Sequence, residues 1–192
     1  WQFFAQNNVY VSPTTSLEYG GVGHAILGTL LVVLLTTLAA VPLGIAMGIY
    51  LTQSQSKTRN LVRTFTQALS GLPSVVSGLF ILSIIEATQM GRSGLTGSLA
   101  LFPLMLPTVA RVAEESLRLV PVDLRYAALA LGAPNYRAFF QVILPAAKSG
   151  LLTALLLGLA RVVGETAPLI LTMNPANGTN LNPFDGSMTT LP

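Results

Sequence analysis

"LLTALLLGLARVVGETAPLILTM" (residues 151–173) is the stretch on which the reading of this chain turns. It is long and apolar enough for a helix that crosses a bilayer, yet it carries Arg161 and Glu165 near its middle. An Arg at the centre of a membrane helix costs roughly 2.5 to 3.5 kcal/mol on insertion scales, so it turns toward a bundle interior or toward water. Counted from Ser149, Arg161 lies 12 residues on, which is about 18 Å along a helix and close to mid-bilayer. Glu165 follows at i+4 on the same face, within reach of a direct ion pair. Two readings stay open. The pair either neutralises itself and fixes the packing of one helix, or Arg161 offers planar donors to a tetrahedral oxyanion while Glu165 holds it in place. A packing pair can be replaced by apolar residues without loss, whereas transport needs the charge itself.

The whole chain has the same character. Its 192 residues are 52% hydrophobic and 9% charged, against about 25% charged in ordinary soluble domains, and mean hydropathy is +0.65. Ala25–Leu51, Thr64–Ile85 and Ser93–Ala110 contain no Asp, Glu, Lys or Arg, and Ser149–Met173 is broken only by the opening pair. Each is long enough to span about 30 Å of hydrocarbon. The expectation is an all-α polytopic membrane bundle with spans at about 25–51, 64–86, 94–112 and 149–173.

A net charge of +3 could suggest nucleic acid, but the basic residues are placed by topology instead. Lys57, Arg59 and Arg63 lie between the first two spans, and Arg111, Arg118, Arg125, Arg137 and Lys148 lie at or between the ends of the last two. Arg92 alone lies between the second and third, and residues 1–22 and 174–192 have no Lys or Arg. The positive-inside rule then puts both termini outside and both basic loops in the cytoplasm. With no cysteine, disulfides, thiol chemistry and cysteine metal sites are excluded. Trp1 is not an initiator Met, and the opening residues lack a signal peptide's basic and apolar regions, so the chain reads as an interior piece of a longer one.

Local signals suit a transport path better than an anchor. Gly44 and Gly48 form a G-x-x-x-G spacing, either a site of close helix approach or chance in a glycine-tolerant span. Pro73, with Gly71 and Gly78, is expected to kink or interrupt the second span, and Pro103 and Pro107 to bend the third. His24, alone at the outer boundary of the first span, is read as structural, and Glu86, Glu114 and Glu115 as residues at the water interface. No Ser-His, acid-dyad or metal spacing occurs within the spans, so catalytic and metal residues are expected to be none. Lys148-Ser149 lacks the glycines of a phosphate-binding P-loop, so the chain cannot bind ATP by that route.

The most specific pattern is "RYAALALGAPNYRAFFQVILP" (residues 125–145), within a coupling segment of about residues 120–146. Alanine and leucine favour a helix up to Gly132, Gly-Ala-Pro stops it, and a second helix starts near Asn135. Such a helix-turn-helix at the membrane surface could dock a partner, with small alanines admitting it and Phe139 and Phe140 filling its pocket. It could equally be an amphipathic linker.

This stretch resembles the motif of bacterial ABC importer permeases (MetI-like): Glu-Ala-Ala, a glycine four residues on, then Ile-x-Leu-Pro. Ala127, Ala128, Gly132, Val142, Leu144 and Pro145 fall at matching positions, while Tyr126 stands where the family has Glu and Val142 where it has Ile. "GGVGHAILGTL" (20–30), "GLPSVVSGLF" (71–80), "ARVAEESLRLVP" (110–121) and "LARVVGETAPLILT" (159–172) resemble the permeases of the phosphate-specific ABC transporter, the last run fitting the PstA type better than the PstC type. The resemblance implies one transmembrane permease domain over 1–192, lacking a span at each end. It implies inorganic phosphate as cargo along a path at Arg161 and Glu165, with no cofactor. The implied partners are an ATP-binding cassette ATPase at residues 125–145, a second permease subunit, an extracytoplasmic phosphate-binding protein and membrane lipid, in the bacterial plasma (inner) membrane. A permease for sulfate or molybdate, and the PstC-type partner subunit, are the alternatives.

Overall fold

The computed structural model describes Phe4 and residues 21–191. Nearly all of the expected outer loop at 1–22 lies outside the described residues. Within them the elements are α1 (Gly23–Gln53), α2 (Thr58–Ser70), α3 (Ser74–Thr88), α4 (Gly94–Arg118), α5 (Val122–Ala130) and α6 (Asn135–Arg137). A π-helical turn (Ala138–Ile143), α7 (Leu144–Ala146), α8 (Lys148–Val163) and α9 (Ala167–Thr172) follow. The fold is all-helical. α1 and α4 are each long and apolar enough to cross a membrane, and up to four spans result if the bent pairs α2 with α3 and 135–146 with α8 each count as one.

The second apolar run is two helices rather than one. Gly71, Leu72 and Pro73 separate α2 from α3, and Pro73 is extended (φ −62°, ψ 138°) immediately before α3. Pro73 has no N–H to give and its ring would meet the carbonyl four residues back, so the ladder stops there. α3 alone has 15 residues, about 22 Å of rise, less than the hydrocarbon thickness. α2 is amphipathic: Arg59 and Arg63 share it with Leu61 and Phe65, which are left exposed. In α4, by contrast, the helix runs unbroken through Pro103 and Pro107.

The chain forms two compact units. The first comprises residues up to 39, 72–104 and 161–192. Here α3 packs on α9 so closely that a Cβ on Gly78 would lie 2.8 Å from Pro168 Cα. Buried hydroxyls join the helices by donating to backbone carbonyls: Ser77 to Ala100 at 2.6 Å, Thr96 to Thr172 at 2.8 Å and Thr36 to Ser98 at 3.3 Å. Thr172 ends α9, so its carbonyl has no partner within the helix and Thr96 supplies one. The segment after α9 folds back on the same unit. Leu95 N–H donates to the Pro183 carbonyl at 2.7 Å, Leu191 N–H to Thr29 Oγ1 at 2.9 Å, and Met188 is buried.

The second unit comprises residues 40–71 and 105–160, and α4 is its spine. A Cβ on Gly44 would lie 2.8 Å from Val109 Cβ, one on Gly48 2.8 Å from Ala113 Cβ, and one on Gly158 2.7 Å from Val109 Cγ2. The G-x-x-x-G spacing is therefore a packing surface, where absent side chains let α1 approach α4. Leu117, Phe139, Ile143 and Ala147 make a core beside it, which Ile49, Val120, Leu144 and Leu151 extend.

This packing makes a prediction. Gly44→Leu should lower the unfolding free energy of the detergent-solubilised protein by about 1–3 kcal/mol through overpacking. Gly91→Ala, at a glycine with nothing within 4 Å, should stay within about 0.5 kcal/mol of the parent. Thermal unfolding of the two variants, side by side, checks the difference.

Candidate functional site

Two of the sequence-derived sites lie on the coupling segment and at the end of α8. On the first, α5 ends in a reciprocal pair of backbone bonds: Gly132 N–H donates to the Leu129 carbonyl at 2.9 Å and Ala133 N–H to the Ala128 carbonyl at 3.1 Å. This is a Schellman cap, and it requires a left-handed residue at Gly132, whose φ is +85°. Pro134 then starts the next turn, and the Arg125 guanidinium donates across to Asn135 Oδ1 at 3.4 Å.

The motif residues divide by face. Ala128 is buried and Val142 and Leu144 are half-buried, and Leu144 packs on the core of Leu117, Phe139, Ile143 and Ala147. Tyr126, Ala127, Gly132 and Pro145 are exposed. Phe139 does not point outward as expected: it is buried against Leu117, Ile143 and Ala147, its ring edge-on to that of the exposed Phe140. The apolar outward face is instead Tyr126, Leu131, Tyr136 and Phe140, with Leu131 at 90% exposure the most open large apolar side chain of the described residues. Sequence reasoning missed Leu131. The available signal was an isolated Leu directly before the capping Gly, where no helical face remains to bury it.

At the second site the expected ion pair is absent. α8 ends at Val163, leaving Glu165 between helices, and Arg161 stands exposed in the last turn. Among the described residues the ion pairs are Arg63–Glu114 and Arg118–Glu114, and neither Arg161 nor Glu165 takes part in one. The cause is local. Pro168 is the second residue of α9, so its ring would overlap the Gly164 carbonyl if the helix continued, and Gly164 itself favours leaving the ladder. Glu165 N–H turns back to the Val162 carbonyl at 3.3 Å, and its side chain leaves the i+4 register. Arg161 therefore ends a helix rather than occupying the middle of one, a position where the helix dipole favours a cation by about 0.3–1 kcal/mol. Its guanidinium remains available to an anion.

One further expectation changes. Glu114 is not a free interfacial carboxylate, since its side chain is only 13% exposed and its Oε1 accepts from Arg63 at 2.5 Å and from Arg118 at 2.6 Å. Glu115 and Glu86 are exposed. His24 is buried, with Nδ1 lacking a hydrogen-bond partner. Beside the Glu114 fork is a cavity of about 230 Å³ lined by Arg63, Thr66, Gln67, Arg111, Glu114 and Glu115. The sequence carried its signal: Arg111, Glu114, Glu115 and Arg118 recur at i, i+3, i+4 and i+7, one face of α4. No group of three or more metal-ligating side chains occurs among the described residues.

Comparison with known proteins connects these features. The chain is 42% identical over 175 residues to phosphate transport system permease protein PstA 1 of Mycobacterium tuberculosis (strain H37Rv), covering 90% of this chain and 57% of that protein. It is 42% identical over 164 residues to phosphate transport system permease protein PstA of Yersinia pestis, covering 84% and 56%. It thus spans little more than half the length of these relatives. A crystal structure described as an amino acid ABC transporter with histidines superposes with a TM-score of 0.65 at 22% identity, covering 77% of this chain and 68% of that one; at that identity the likeness concerns the fold. Residues 40–190, which contain both the capped coupling segment and the break after α8, match the family model for the inner membrane component of binding-protein-dependent transport systems. This chain is a membrane protein that belongs to that family.

Proposed function

We propose that this chain is the channel-forming subunit, of PstA type, of an ATP-driven ABC importer for inorganic phosphate. The observation that carries the reading is the similarity to PstA proteins across nine-tenths of the chain, together with an Arg161 that Glu165 does not neutralise. A guanidinium at a helix end, with its five donors in one plane, suits a tetrahedral oxyanion. Glu165, one break away, lowers the net charge of the path without occupying the Arg.

The chain carries no ATP-binding motif, so hydrolysis is assigned to a separate ABC ATPase subunit. That subunit docks on the outward face of the coupling segment, where Tyr126, Leu131, Tyr136 and Phe140 present apolar surface without a cover in this chain. Exposed aromatic side chains around a rigid cap are the residue types that anchor interfaces. The Schellman turn fixes the knob's shape, and Phe139, Ile143 and Leu144 pack it on Leu117 of α4, so displacement of the knob is passed to α4. A second permease subunit completes the path, a phosphate-binding protein delivers cargo on the outer side, and the assembly lies in the bacterial plasma (inner) membrane.

Three outcomes test this. In the full-length protein assembled with its partners, Arg161→Leu should abolish uptake of labelled phosphate at matched membrane abundance, whereas Glu165→Gln should retain a substantial rate. Equal loss in both variants would mean that the two act as a bonded pair. Gly132→Asp places a Cβ at a φ of +85°, a left-handed cost of roughly 1–2 kcal/mol; ATP hydrolysis should then stop responding to loaded binding protein while the bundle still inserts. For orientation, single cysteines at Gln55 and Gln141 should be shielded from an impermeant thiol reagent in intact cells, and one at Asn177 should react. The reverse pattern would invert the topology.

A further inference from the structure

We propose that the cavity beside Glu114 is a second oxyanion station, selective for an anion that still carries a proton. The proposal rests on the phosphate-permease reading and goes beyond it, by assigning a site on α2 and α4 away from Arg161. Three observations carry it. The cavity volume of about 230 Å³ admits a small tetrahedral anion with water around it. Its wall bears two guanidiniums of different status: Arg63 is held by Glu114, whereas Arg111 is exposed and enters no ion pair among the described residues. Gln67, exposed on α2, lines the same cavity beside these guanidiniums and marks its mouth. Because Arg63 uses one terminal nitrogen on Glu114, its remaining donors, with those of Arg111, can hold an oxyanion between the two helices.

The carboxylates give the site its chemical preference. Glu114 is committed to two arginines, but Glu115 lines the same cavity and is exposed without an ion pair among the described residues. A bare carboxylate beside an anion site repels a fully ionised guest such as sulfate. Inorganic phosphate at neutral pH keeps a proton, and its P–OH can donate to Glu115 while its other oxygens accept from Arg111 and Arg63. Discrimination thus comes from a repulsive element built against the wrong anion. A phosphodiester lipid headgroup lacks that proton as well, so the chemistry favours free phosphate over lipid.

The experiment uses the full-length chain, assembled with its partners in vesicles, with a single cysteine at the exposed Gln67 and a second preparation with one at Gln55 as control. The chain has no cysteine of its own, so neutral maleimide labelling of this subunit reports one position. Phosphate should slow labelling at residue 67 and leave residue 55 unchanged, and sulfate should slow neither. The difference between the anions should be about 10-fold in the concentration needed, the value of one charge-assisted hydrogen bond. In Glu115→Gln, sulfate should protect nearly as well as phosphate, and in Arg111→Gln neither should protect. Equal protection by both anions with Glu115 in place, or no protection by phosphate, overturns the proposal. Protection without added phosphate in vesicles containing phosphatidylglycerol, but not in phosphatidylcholine alone, also overturns it and assigns the cavity to lipid. Labelled-phosphate uptake is measured on the same Gln67→Cys preparation. Uptake without protection removes the second station and leaves the permease reading intact, whereas absence of uptake from the unsubstituted transporter counts against the permease reading itself.

Discussion

A backbone in hydrocarbon has no water to bond with, and each interruption of a helix must find its partners inside the protein. That constraint organises this chain. The ladder fails between Gly71 and Pro73 and between Gly164 and Pro168, and both failures lie beside polar residues, Ser70 and Ser74 at the first and Glu165 and Thr166 at the second. Thr96 takes up the carbonyl that closes α9, and Ser77 and Thr36 reach carbonyls of α4 within a few residues of Pro103. Glycines do the complementary work in the second unit, where Gly44, Gly48 and Gly158 remove the side chains that would hold α1 and α8 away from α4.

The break after α8 also sets the spacing of two charges. A continuous helix through residue 173 would set Glu165 one turn beyond Arg161 and let them neutralise each other. Ending α8 at Val163 separates the two and leaves the guanidinium at a helix terminus. Whether Arg161 and Glu165 meet as a pair or stand apart is therefore decided by Gly164 and Pro168, two residues with no charge.

Much of this was legible in the sequence because it depends on local rules. Apolar run length marks α1 and α4, and Gly132-Ala-Pro places the capped turn of the coupling segment. What was not legible depends on tertiary placement. Periodicity alone cannot say whether Phe139 or Phe140 faces the protein's own core, and only the packing of Leu117, Ile143 and Ala147 assigns Phe139 inward. The role of Glu114 was hidden for a similar reason: its partner Arg63 lies on α2, 51 residues away in sequence. Hydropathy makes 149–173 one apolar run, but Gly164 and Pro168 end the helix inside it, as Gly71 and Pro73 do in the second run.

The central claim is that this chain forms the membrane path of an ATP-driven phosphate importer. The most direct measurement is accumulation of labelled anion in proteoliposomes holding the full-length protein, its second permease subunit and its ATPase, with binding protein on the outer side. Labelled phosphate should accumulate only when ATP is present on the ATPase side, and labelled sulfate under the same conditions should not. Phosphate entry that ignores ATP, or sulfate accumulation at a comparable rate, would contradict the account.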